Sequence, residues 1–127
     1  MTRFRTILLA LVVGWAGPAS AAPFSENALA CEAHLLWMAD QTSNPDVAPA
    51  LARFASAFGT AAREQALIEG QPSPDAYLAR LADAKAAEWA RHGQMWVFTS
   101  DFRDWNGYCN RFAEALGIDP KAYRPPS

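Results

Sequence analysis

Side chains that carry chemistry are scarce in this chain. Its 127 residues hold two cysteines, two histidines and three methionines, and only 19% are charged. Neither cysteine opens a CxxC or a CxxCH, so neither a CxxC redox pair nor covalent haem attachment has a motif to rest on. There is no GxSxG, no HExxH, no phosphate-cradling glycine loop and no EF-hand acidic run. Lys/Arg clusters are missing too, which sets aside nucleic acid and anionic membrane surfaces as partners. Nine prolines and seven glycines show no period, and a collagen-like or low-complexity chain is excluded with it. What the chain has in quantity is apolar surface: 51% of residues are hydrophobic and 12% aromatic. That is enough to offset the ordering entropy of one domain, and the length leaves little room for a second.

The first twenty-one residues have the pattern of a signal peptide. Arg3 and Arg5 form a positive start, Ile7 to Gly17 an apolar run, and Ala19-Ser20-Ala21 the small-x-small pattern that signal peptidase reads. The run is shorter than the roughly 20 residues of a membrane span. Export and cleavage after Ala21 are therefore expected, which places the mature protein in the periplasm with no membrane attachment. Cleavage takes Arg3 and Arg5 away, so eleven basic residues fall to nine against thirteen acidic ones, a balance of −4. Cys31 and Cys109 both survive it, and two thiols in an exported domain pair with each other. Closing so long a loop stabilises the fold by roughly 4–5 kcal/mol in the chain-entropy view.

The mature chain reads as four helices. The first is expected from an N-cap at Ser25 to Asp40, with Ala28, Cys31, Leu35 and Met38 on its apolar stripe. The second opens at Asn44-Pro45 or Asp46, carries Val47, Leu51, Phe54, Phe58, Ala61 and Ile68 inward, and stops at Gly70. Gly59 inside it points to a kink or a close helix approach. The third starts at Ser73-Pro74-Asp75, a capping residue, an N1 proline and a dipole-favoured acid, and ends at His92-Gly93. The fourth runs from about Ser100 to Leu116, with Phe102, Trp105, Cys109, Phe112 and Leu116 in a seam, and Gly117 ends it. Met95–Thr99 has strand propensity but no partner strand, so it is read as a buried connector or a helix extension. The expected architecture is all-α, a small up-down four-helix bundle over residues 22–118. A Cys31–Cys109 bridge would join its first and last helices, and residues 119–127 would form a flexible Pro-rich tail.

Catalysis finds little support in these residues: His34 and His92 are the only imidazoles, and Asp101 with Asp104 reads as a helix's first-turn decoration. No cofactor is expected. Seven aromatic side chains (Trp89, Trp96, Phe98, Phe102, Trp105, Tyr108 and Phe112) lie within 24 residues, more than one seam accommodates. The expected function is non-catalytic binding of a partner protein or peptide, in a chaperone-, inhibitor- or immunity-like role. Trp96, Phe98, Trp105 and Tyr108 would form the patch. A first alternative is a soft-metal site, copper by its chemistry, from the couples His34/Met38 and His92/Met95. A second is a bundle that sequesters a small apolar ligand. Burial of the four aromatics would remove the motive for the first reading, and wide separation of the two couples would remove that for the metal.

Overall fold

Residues 22–125 are described by the computed structural model. The expected signal peptide and the expected cut after Ala21 fall outside the described residues, as do Pro126 and Ser127. The described chain is all-helical: α1 (Phe24–Gln41), α2 (Val47–Ile68), α3 (Pro74–Trp89), a 3-10 turn (Gln94–Phe98), α4 (Ser100–Ala115) and a second 3-10 turn (Pro120–Tyr123). No strand occurs among these residues, and the four α-helices form a small bundle.

α1 is its axis. Ala28, Leu29, Ala30 and Cys31 are consecutive and all buried, as are Ala33, His34 and Leu35. Four buried positions in a row, each turned by about 100° from the last, can only belong to a helix covered on every side. α2, α3 and α4 supply the cover. Alanines let α2 come close: Ala50, Ala55, Ala62 and Ala66 are buried beside Phe54 and Phe58. The close approach expected at Gly59 is present, since a Cβ there would run into the Glu32 carboxylate of α1. Burying Phe58 completely contributes about 1.5–3 kcal/mol.

Cys31 and Cys109 are bonded, with Cα atoms 5.6 Å apart, so α1 and α4 are neighbours where they cross. Both glycine stops are also as read. Gly70 (φ 75°) and Gly117 (φ 80°) take the left-handed conformation in which two C-terminal carbonyls are satisfied. Gln71 N–H bonds Ala66 O and Gly70 N–H bonds Leu67 O; Ile118 bonds Ala113 and Gly117 bonds Glu114 in the same way.

Four local expectations need correction. Ser25 does not cap α1; Pro23 stands at that position, and Ser25 is sealed inside. Its amide and hydroxyl donate to the Glu69 carboxylate at the end of α2, and its Oγ meets Tyr77 Oη of α3 at 2.9 Å. Ser73 likewise makes no side-chain cap bond, and Asp75 pairs with Arg63 of α2 instead. Ile68 is 76% exposed. It shares a helix face with buried Ala50, eighteen positions and five turns earlier, so its exposure follows from its place as the last residue of α2 rather than from its direction. As far as it is described, the segment 119–124 is not free: Asp119 caps its own turn by accepting from Lys121 N–H. Tyr123 lies flat on Phe54, ring centroids 5.2 Å apart and 10° from parallel. One aromatic ring with a place to stack outweighs the prolines around it.

The Met95–Thr99 stretch resolves as a connector, a 3-10 turn in which Trp96 is buried and Phe98 is not. Thr99 then caps α4, its Oγ1 accepting from Phe102 N–H at 3.2 Å while donating to Trp96 O at 2.6 Å.

Candidate functional site

His34 is the most unusual residue of the interior. It projects from α1 with no exposed surface, into a box made by Trp89 at the end of α3, Trp96 in the 3-10 turn, and Phe102 and Trp105 of α4. Their ring centroids lie between 5.4 and 6.5 Å from its own. Both ring nitrogens are engaged. Trp89 Nε1–H points at Nδ1 from 3.2 Å, and Nε2 faces Asn106 Oδ1 of α4 at 2.6 Å.

The protonation state follows from donor logic. An indole N–H can only donate, so Nδ1 must be the unprotonated nitrogen that accepts it, and the proton of the neutral ring belongs on Nε2. Nε2–H then donates to Asn106 Oδ1. A second proton on Nδ1 would face the Trp89 donor. Burial pushes the His34 pKa below its ordinary 6.5, as does the His92 charge, and together they outweigh the opposite pulls of the Asn106 bond and Asp101.

The four aromatics expected to form one patch are separated. Trp96 is core: His92 stacks on it at 3.7 Å, Trp37 meets it edge-on at 5.2 Å, and its Nε1–H reaches Asp101 Oδ2 at 3.2 Å. Trp105 and Tyr108 are half-buried neighbours, centroids 5.7 Å apart, and with Asp101 and Asp104 of the same helix and Asn27 of α1 they line a cleft. Burial raises the Tyr108 pKa above its usual value. Phe98 stands out at 72% exposure, matched by Met95 at 72%. Beside them a cleft of about 290 Å³ is lined by Trp37, Val97 and Phe102.

The soft-metal set is not assembled as four free donors. His34 has no lone pair to spare, His92 is stacked on Trp96, Met38 packs between the two halves of the core, and Met95 faces solvent. Among the described residues no three His, Cys, Asp or Glu side chains converge as a metal-holding group.

Two participants were missed at the sequence level. Trp37 is buried against His92 and Trp96, and Asn106 fixes the imidazole. Trp37 could have been found, because its place on α1 continues the run begun by Ala30, Ala33 and His34 at helical spacing. Asn106 gave no signal, since its partner is 72 positions away. No protein-family model matches the chain, and no curated protein or solved structure matches it.

Proposed function

We propose that this chain is the precursor of an exported, non-catalytic helical protein that acts in the periplasm by binding a partner protein or peptide. Export is supported by the Arg3/Arg5, apolar-run and Ala19-Ser20-Ala21 pattern, and the Cys31–Cys109 bond suits an oxidising compartment. The observation that carries the binding reading is Phe98. A large aromatic side chain is held 72% exposed on a short turn anchored from below by Trp96 and closed by the Thr99 bonds. Such an anchor loses little freedom on docking, which is what makes aromatic hot spots effective. Met95 and the apolar cleft of Trp37, Val97 and Phe102 extend the patch. The contact surface of this reading is therefore Phe98 with Met95, and Trp96 serves as its support.

Site-specific photo-crosslinking in cells that export the protein tests this. A crosslinker at Phe98 should yield a discrete adduct, while one at Ala79, an exposed position on α3, should not. Changing Met95 and Phe98 to Ala should weaken capture by the purified partner while shifting stability by no more than about 0.5 kcal/mol. Equal labelling at both positions, or none at Phe98, would count against the patch. The export half is tested by the mass of the mature product, which should begin at Ala22.

A further inference from the structure

A cleft of about 470 Å³ runs between α1, α2 and α4 beneath the C-terminal segment. Its apolar lining is the half-buried Met38 of α1, Leu51 of α2 and Tyr123, with the buried Leu35 and Phe54 beneath them. Asn106 of α4 borders it, and Lys121 and Arg124 of the C-terminal segment stand over it. That size lies within the range of small-molecule sites, which pair apolar walls with a few placed polar groups.

The orientation of Asn106 is settled by the interior behind it. Trp89 N–H fixes the His34 tautomer, and the Nε2–H that results takes Asn106 Oδ1 as its acceptor. Reversing the amide would set its NH2 against the imidazole N–H, donor against donor. The amide nitrogen is thus turned away from His34. It has no hydrogen-bond partner among the described residues, yet no side-chain nitrogen or oxygen is sealed without one, so Nδ2 is reachable from outside. Lys121 and Arg124 form no ion pair among the described residues either. Glu114 also borders the cleft, leaving two cations against one anion.

We infer that this cleft binds a small amphipathic carboxylate, its apolar body on Met38, Leu51 and Tyr123. Its carboxylate is held by the Asn106 amide together with the Lys121 and Arg124 charges. A neutral alcohol of the same chain length gains the floor but not the charge-assisted bonds, and an organic cation meets repulsion. The buried imidazole acts here as a positioning residue, holding the amide with its donors outward.

Isothermal titration calorimetry on the disulfide-bonded mature protein provides the test, with octanoate, octanol and octyltrimethylammonium as probes. Octanoate is expected to bind one per chain, at least about tenfold tighter than either other probe. Asn106→Asp keeps an acceptor for His34 Nε2–H but replaces the outward donor with negative charge. It should weaken octanoate about tenfold or more and leave octanol unchanged. The double change Lys121→Gln and Arg124→Gln lies on exposed side chains, so it carries the test should the Asn106 variant fold poorly, and it should give a comparable loss. No saturable octanoate binding, octanol binding as tightly, or unchanged octanoate affinity in the lysine/arginine variant would each overturn the inference.

Discussion

The two sides of α1 solve the problem of burial in different ways. Toward α2 and the α4 crossing, the helix buries Ala28, Cys31 and Leu35 against Phe54, Phe58, Ala62 and Phe112. That half is shape and a covalent bond. Toward the end of α3 and the 3-10 turn, Ala30, Ala33 and Trp37 meet Trp89 and Trp96, and His34 sits among the rings with one donor and one acceptor to match. An apolar half tolerates replacement by side chains of similar volume. A half organised around a polar group does not, because each donor there has one acceptor and water is excluded. The comparison separates stability from specification: the first half holds the bundle together, while the second decides which way Asn106 faces.

The largest effect should come from the covalent half. Replacing Cys31 and Cys109 with Ala is expected to remove roughly 4–5 kcal/mol from the unfolding free energy measured in urea. A loss under about 1 kcal/mol would mean that packing alone fixes the α1–α4 crossing. Next, His34→Leu strands both the Trp89 N–H and the Asn106 acceptor. It should cost about 2–4 kcal/mol, whereas Leu35→Met, one residue away on the apolar side, should stay below about 1.5 kcal/mol. Equal costs would erase the distinction between the halves.

The pH response sharpens it further. His34 has a folded pKa below its ordinary 6.5, so below that value the unfolded chain takes up a proton that the native state refuses. Stability should be flat above pH 6.5 and fall as pH drops toward the depressed folded value, by up to about 1.4 kcal/mol per pH unit. Burial pushes the Glu32 carboxyl up from its ordinary value, a contribution of opposite sign, so the comparison is best made in a Glu32→Gln background. There His34→Gln should remove the slope. The smallest contrast is local: Thr99→Ala should cost about 1 kcal/mol because its cap bond is made. Ser73→Ala should cost under about 0.5 kcal/mol because its own is not.

The helices and the disulfide are legible in the sequence because their causes are local or few. Gly70 and Gly117 end helices through their own backbone freedom, and two cysteines allow only one pairing. What escapes is whatever depends on a distant partner. Ser25, just ahead of the first apolar stripe, reads as a cap, and only the arrival of Glu69 and Tyr77 makes it a buried tether. The aromatic excess between Trp89 and Phe112 is visible, but its division is not. Trp96 is drawn inward by His34, Trp37 and His92, all from outside the α4 seam, while Phe98 two positions on is left in solvent. A Pro-rich ending reads as loose until Phe54 offers Tyr123 a surface. Of Trp96, Phe98, Trp105 and Tyr108, the exposed Phe98 is the one on which the partner-binding proposal rests most directly.

The His34 tautomer is the point on which the interior and the Asn106 cleft both depend. Long-range 1H–15N NMR of histidine-labelled protein, recorded from pH 7.5 down to pH 5, reads it directly. The expected result is a pyridine-type Nδ1 and a pyrrole-type Nε2 that persist below the ordinary imidazole range of about 6.5. A proton on Nδ1, or a His34 that titrates near 6.5 as an exposed ring does, would contradict it.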